Sequence, residues 1–271
     1  RTTEYCLHDG TVPDRNPSLG PHMKVDKKTF HFLLDAWAFS GELEAASQAQ
    51  HLLERMEDLG RFYQHERGNS MNIQPDVRSY TKTINAIARQ AALTAGDEAE
   101  VILNKMKDLY KANLKTDPER ANSIKPNSYT YTAVIQAHCN SGAPGSADRA
   151  MALAERMVDK YQRGDADVCP TAKAFNAAIR AFGKEGRADK AEAVFRRMEE
   201  LYKAGIVEAK PTAVNYNSLI SAWANCDDED SARRAEEVLE RMEYAYEAGD
   251  QNVKPTTVSF NAVLDAYAKS G

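Results

Sequence analysis

Apolar residues recur along the chain with the spacing of amphipathic helices. Six segments open with an aromatic residue followed by a small polar residue or histidine, and from that second residue an aliphatic lies three positions on and an alanine five positions on. Spacings of three to four residues place these side chains on one face of an α-helix. The pattern predicts six equivalent helices, each with an alanine where a neighbouring helix approaches closely. These alanines are Ala36, Ala86, Ala137, Ala181, Ala222 and Ala266.

A second helix is predicted in each of the first five units. A methionine forms its centre, with an alanine seven residues earlier and apolar residues three and four residues earlier, again a single helical face. The methionines are Met56, Met106, Met157, Met198 and Met242. A proline, which disfavours helix in the residue before it, closes each unit. These prolines are Pro75, Pro126, Pro170, Pro211 and Pro255.

The units predict an all-α solenoid, because no single helix–turn–helix unit can bury its apolar face alone. The array is predicted over residues 24–271, with repeats at about 27–76, 77–127, 128–171, 172–212, 213–256 and the first helix of a sixth at 257–271. Residues 1–23 are predicted to be an irregular lead-in from a preceding unit. Polar segments at 64–70 and 116–120 predict loop insertions at one edge of the stack.

Charge is unevenly divided between the two kinds of helix. The whole chain carries a net −5, which by itself argues against binding polyanions through bulk charge. The fourteen residues that open each unit hold nine Lys or Arg and three acids, a net of +6, which leaves −11 for the remainder. If the first helices line the inner surface, the groove is basic and suits a phosphate backbone.

Motifs for catalysis and for metal binding are missing from the sequence. It has no glycine-rich phosphate loop and no HExxH motif, and its four cysteines lie far apart. The acidic run 227–230 precedes a predicted helix, where acids favour the N-terminus, and His138 occupies a bulky packing position. We therefore predict no enzyme activity, cofactor, metal or small-molecule substrate. Apolar runs are only a few residues long, which predicts no membrane partner.

Residues 172–212 (AKAFNAAIRAFGKEGRADKAEAVFRRMEELYKAGIVEAKPT) resemble a pentatricopeptide repeat. The resemblance rests on the aromatic–Asn opening, Gly-Arg-x-x-x-Ala, apolar-x-x-Met and the closing Lys-Pro, and it extends to residues 213–256 and 257–271. The tetratricopeptide alternative lacks its Trp…Leu-Gly…Tyr first helix. The resemblance implies a right-handed α–α superhelix that binds single-stranded RNA, one base per repeat, in a mitochondrion or plastid. Every repeat here is longer than the family's usual period.

The resemblance also implies which residues face the bases. The first member of each pair follows the opening aromatic, and the second follows the closing proline. The pairs are His31 with Asp76, Thr81 with Asn127, Thr132 with Thr171, Asn176 with Thr212 and Asn217 with Thr256, while Asn261 opens the sixth repeat without a second member. The first pair is an atypical combination for the family. The second pair implies recognition of adenine, the third weakly implies a purine, and the last two imply a pyrimidine.

Flanking side chains two residues before each aromatic are implied to contact the faces of neighbouring bases. They are Lys28, Arg78, Tyr129, Lys173, Val214 and Val258. Independently of the resemblance, Asn and Thr are short and carry donors and acceptors, so they can address a base edge. The alternative is that they are simply the polar first turn of a helix, where both residue types are common.

Three functions remain open from the sequence. The first is sequence-selective binding of single-stranded RNA in organellar RNA metabolism, through transcript stabilisation, processing or translation. The second is a scaffold for other proteins, because α-solenoids present long concave surfaces. The third is an array that targets a catalytic domain lying outside this segment.

Overall fold

The computed structural model describes residues 26–66 and 73–270, and every regular element within those ranges is helical. The first helices of the units are α1 (Lys27–Ser40), α3 (Val77–Gln90), α6 (Ser128–Ser141), α8 (Ala172–Lys184), α10 (Ala213–Ala224) and α12 (Thr257–Ser270). The second helices are α2 (Ala45–Glu66), α4 (Ala95–Asn113), α7 (Ser146–Gln162), α9 (Ala188–Lys203) and α11 (Ser231–Glu247). A short helix, α5 (Pro118–Ile124), lies between α4 and α6. The predicted all-α solenoid is confirmed.

The start of a first helix is set by the residue that follows a closing proline. The side chains of Asp76, Asn127 and Thr171 accept hydrogen bonds from backbone N–H groups in the first turns of α3, α6 and α8. Such N-caps satisfy donors that have no partner within the helix. Because a proline cannot continue a helix, the proline and the cap together mark where each new repeat begins.

The second helices bury the predicted methionine face. All five methionines at its centre are fully buried, as are Ala99, Ala150 and Ala191 on the same stripe. Single turns of 3₁₀ helix follow α7, α9 and α11, at Ala166–Val168, Val207–Ala209 and Gln251–Val253, and each inserts one buried apolar side chain. Within the described ranges, no helix has the length and apolar character needed to cross a bilayer.

First helices form a continuous layer, because each packs directly on the first helix of the next unit from α1 through α12. Each second helix packs on the first helix of its own unit and on that of the next unit, whereas successive second helices have at most marginal backbone contact. The second helices are therefore spread further apart, and the first helices line the concave side. The predicted close-packing alanines are buried from α3 onward, while Ala36 on α1 is exposed.

Two predicted loop insertions differ in the structure. The segment 116–120 was expected to be a loop, but Pro118 begins α5, with Asp117 as its N-cap and Ala121 and Ile124 buried one turn apart. The predicted insertion at 64–70 is also wrong at its start, because α2 continues through Glu66. The rest of that insertion, at 67–70, and the predicted lead-in at 1–23 lie outside the described residues.

Candidate nucleic-acid interface

The six flanking side chains all occupy the second position of a first helix, and all are exposed. Three of them are apolar or aromatic: Tyr129 is 79% exposed, Val214 62% and Val258 63%. The other three, Lys28, Arg78 and Lys173, are basic. A row of accessible apolar and cationic side chains with one member per repeat could contact the faces of successive bases.

The first predicted pair is in direct contact. His31 on α1 places its Nε2 atom 3.2 Å from Oδ1 of Asp76, the N-cap of α3. Lys27 adds its ammonium group 3.5 Å from the other carboxylate oxygen. Partial burial works to raise the pKa of Asp76, but the backbone N–H of Ser79 and the charges of Lys27 and His31 outweigh it, so the pKa lies below its ordinary value. Asp76 is therefore an anion in the groove.

Three further pairs are joined through a third side chain rather than directly. That side chain is the third residue of the next first helix, which we call the bridging position. Its occupants are Ser79, Thr130, Ala174, Asn215 and Ser259. Thr130 bonds to Thr81, Asn215 to Asn176 and Ser259 to Asn217. The same three bridging residues also bond to Asn127, Thr212 and Thr256, the second members of those pairs.

The Thr132–Thr171 pair is not joined in this way. Ala174 occupies its bridging position and has no side-chain hydrogen-bonding group. Thr132 is only 8% exposed, and its hydroxyl donates to the Ser128 carbonyl of its own helix at 2.7 Å. Thr171 caps α8 by accepting from the Ala174 N–H. At the end of the array, Thr256 and Asn261 are both exposed.

Cations on the first helices include several without an anionic partner. Within the described ranges, Lys28, Arg78, Lys173, Arg180 and Lys184 are exposed and have no carboxylate within ion-pair distance. Arg89 is exposed and lies over the Phe39 ring, 4.1 Å from its centroid. By contrast, Lys82 is paired with Asp35. The concave face therefore carries positive charge that is not neutralised by the chain itself.

Arginines and lysines on the second helices are paired much more fully. Ion pairs link each second helix to the next: Lys105 with Glu57, Arg149 with Asp97, Lys190 with Asp148, Arg197 with Glu155 and Arg241 with Glu199. These cations are used in contacts between repeats along the convex side. This contrast supports the division of charge expected from the sequence.

A cavity of about 330 Å³ opens between α8 and α10, and it is lined both by predicted site residues and by unpaired cations. Its walls include Val214 and Asn217 from the predicted site and the unpaired cations Arg180 and Lys184. On α8, Asn176, Arg180 and Lys184 are spaced four residues apart and so share one helix face. A base and its neighbouring phosphate would meet apolar, amide and cationic groups here within one space.

Two family models match the chain. One, described as a PPR repeat, matches residues 129–160 and 173–202, and the other, a pentatricopeptide repeat domain, matches residues 201–270. Residues 129–160 and 173–270 thus match pentatricopeptide repeats. A comparison with curated proteins gives no match.

Solved structures of pentatricopeptide repeat proteins are similar to the chain. One is the crystal structure of PPR10 from maize, with 16% identity, coverage of 92% of this chain and 38% of that chain, and a TM-score of 0.39. Another is PPR10 in complex with an 18-nt psaJ RNA element, with 20% identity, coverage of 92% and 34%, and a TM-score of 0.40. The chain thus spans about a third of the length of the proteins in these structures.

The bridging residues of the pentatricopeptide array were missed by sequence reasoning. Ser79, Thr130, Asn215 and Ser259 are almost fully buried, at 0–1% exposure, next to the opening aromatic. A polar residue recurring directly before that aromatic was the available signal. As predicted, His138 is packed in the core, at 2% exposure, with Nε2 2.8 Å from Glu100. Within the described ranges, no group of three or more His, Cys, Asp or Glu is placed to hold a metal.

Proposed function

We propose that the chain binds single-stranded RNA sequence-selectively through the concave face of its first helices. The observation that carries the proposal is the coincidence, on that face, of the exposed flanking side chains with the polar pairs. Three of the flanking side chains are unpaired cations, and α8 adds two more, Arg180 and Lys184. In this arrangement the bases pack between flanking side chains, and the polar pairs address their edges. Arg180, Lys184 and the other unpaired cations of the first helices neutralise the phosphates.

Such binding requires occupancy of the RNA and no bond-breaking step. We propose that the protein acts in organellar RNA metabolism, where a bound array stabilises a transcript, guides its processing or influences its translation. The location follows from the family resemblance alone. It is tested by expressing the full reading frame with a fluorescent tag. Signal in mitochondria or plastids is expected, and exclusively cytosolic or nuclear signal would overturn the location.

The binding proposal is tested by selection from a pool of 12-nucleotide RNAs of random sequence. The chain is expected to enrich a subset of sequences, and an enriched RNA should bind more tightly than its scrambled version and its DNA counterpart in an anisotropy titration. The double variant Asn176→Ala/Asn217→Ala should lose much of the difference between enriched and scrambled RNA. Asn104→Ala/Asn252→Ala, which removes one exposed amide from α4 and one from the 3₁₀ turn after α11, is the matched control.

The competing function, a protein scaffold, predicts a different outcome. If no sequence is enriched from the pool, and the parent chain and the Asn176→Ala/Asn217→Ala variant bind the pool RNAs equally weakly, RNA recognition is overturned.

A further inference from the structure

Four of the five junctions between repeats place a buried, hydrogen-bonded side chain between the two residues proposed to face one base. At the last junction, the Ser259 hydroxyl donates to Asn217 Oδ1 at 2.7 Å. At the preceding one, Asn215 Nδ2 donates to Asn176 Oδ1 at 3.3 Å. Thr130 and Thr81 share a hydrogen bond of 2.9 Å between their hydroxyls. Ser79 completes the set, with its hydroxyl 3.0 Å from His31 Nε2.

Each bridging side chain bonds both to the N-cap of its own helix and to the preceding repeat, and only the first of these bonds serves helix capping. Ser259 accepts from the backbone N–H of Thr256 at 3.1 Å, and Asn215 accepts from the N–H and hydroxyl of Thr212 at 2.9 and 2.7 Å. A side chain at the third helical position that bonds back to the N-cap is a capping box, which stabilises any helix start. The additional bond to the preceding repeat is not needed for capping, and it reaches the residue proposed to read a base.

The bridging bond limits what the reading side chain can present to a ligand. An unrestrained asparagine can rotate and offer either its oxygen or its amide nitrogen. When Oδ1 of Asn217 is engaged by Ser259, the amide N–H groups are the part left to donate into the groove. Likewise, Asn215 engages Oδ1 of Asn176, which leaves the amide N–H groups of Asn176 to donate into the groove. A donor held in place before the base arrives loses less conformational freedom on binding.

We infer that the bridging residues are positioning residues that set the base preference of the reading residue in the preceding repeat. This inference rests on the proposed RNA binding. The chain contains its own counterexample at Ala174, where a bridging side chain is missing and the Thr132 hydroxyl turns to the backbone of its own helix. The base read by Thr132 should therefore be the least strictly selected of the five.

The test compares single variants in the random 12-nucleotide RNA selection. Asn217→Ala identifies which position of the enriched sequence belongs to this repeat. Ser259→Ala removes the bridging hydroxyl, and Ala174 shows that alanine is accommodated at this position of the fold. Ser141→Ala is the matched control, because Ser141 is also buried and its hydroxyl also makes two hydrogen bonds, to the His138 carbonyl and the Ala143 N–H.

Ser259→Ala is expected to reduce the base preference at the position identified by Asn217→Ala by about threefold to tenfold, the range for losing one hydrogen bond. Preferences at the other positions should be unchanged, and Ser259→Thr should restore the lost preference. A uniform loss of affinity with the preference intact would show a purely structural role and overturn the inference. If the parent chain enriches no sequence at all, RNA recognition itself is wrong, which separates the two failures.

Discussion

Gly96 on α4 lies directly against the imidazole ring of His138 on α6. A Cβ atom at Gly96 would stand 2.2 Å from Nδ1 of His138, well inside van der Waals contact. The ring has little room to move, because it is 2% exposed and its Nε2 lies 2.8 Å from Glu100. The equivalent positions of the other second helices all carry alanine: Ala46, Ala147, Ala188 and Ala232. Glycine is therefore matched to the histidine of this junction.

Gly96→Ala should destabilise the array even though alanine is the better helix former. Overpacking of a close-packed contact costs about 1–3 kcal/mol, and the gain in helix propensity of about 1 kcal/mol offsets only part of that cost. Thermal unfolding followed by circular dichroism should show a lower midpoint.

A second substitution tests whether the His138 ring causes that loss. Isoleucine occupies the corresponding first-helix position at Ile87, in the repeat whose partner helix carries Ala46. The double variant Gly96→Ala/His138→Ile should therefore lose less unfolding free energy than the two single variants lose in sum, by about 1 kcal/mol. Additive effects would show that the contact is not the cause.

The sequence predicted the repeated elements well because each depends on local spacing. The alanine row marks real close approaches: a Cβ atom at Gly183 would lie 2.8 Å from the Cβ of Ala222, one of the predicted alanines. The methionine row is buried throughout. Both signals repeat once per unit, so they stand out without knowledge of the neighbouring units.

Contacts between repeats were harder to predict, because they join residues about 40 positions apart. The bond between Ser259 and Asn217 depends on the register of two helices, and the pairing of Lys82 with Asp35 depends on which side chains face each other across a junction. Helix α5 was missed because its segment is short and polar, and only two of its residues are buried. Local composition does not contain this information.

Cys139 should be the slowest of the described cysteines to react with thiol reagents. Burial raises the pKa of its thiol to about 12, and the side chain is 4% exposed. Burial and the nearby Glu208 raise the pKa of Cys169 to about 11, but Cys169 is only half-buried. The thiolate is the reacting form, so at pH 8 both should react more slowly than a free cysteine. Alkylation with iodoacetamide followed by mass spectrometry measures each site.

Denatured protein provides the reference for that measurement. There, Cys139 and Cys169 should be labelled at similar rates. Labelling of Cys139 in the native chain at its denatured rate would contradict the close packing of α6 described above.

The salt dependence of RNA binding should report the unpaired cations of α8. For a single-stranded nucleic acid, each phosphate contact removed reduces the slope of log K against log salt by about 0.7. Arg180→Ala/Lys184→Ala should therefore reduce the slope of log K against log salt by about 1.4 while leaving the order of base preferences unchanged. Arg156→Ala/Arg163→Ala is the matched control, since both arginines are exposed, one on α7 and one just after it. An equal change in slope for both double variants would show that the charge acts through the whole chain rather than through the groove.

Tyr129 should contribute more to RNA affinity than any other exposed tyrosine of the described ranges. It is 79% exposed at the flanking position of α6, where its ring can stack on a base, and base–aromatic stacking contributes about 1–3 kcal/mol. Tyr129→Ala should therefore weaken binding of an enriched 12-nucleotide RNA by about fivefold to 150-fold at fixed salt. Tyr244→Ala removes a ring that is 76% exposed on the second helix α11, and it should leave affinity unchanged. Tyr129→Phe, which keeps the ring and removes only the hydroxyl, should bind like the parent chain. A loss with Tyr129→Phe as large as with alanine would assign the contribution to the hydroxyl instead of to stacking.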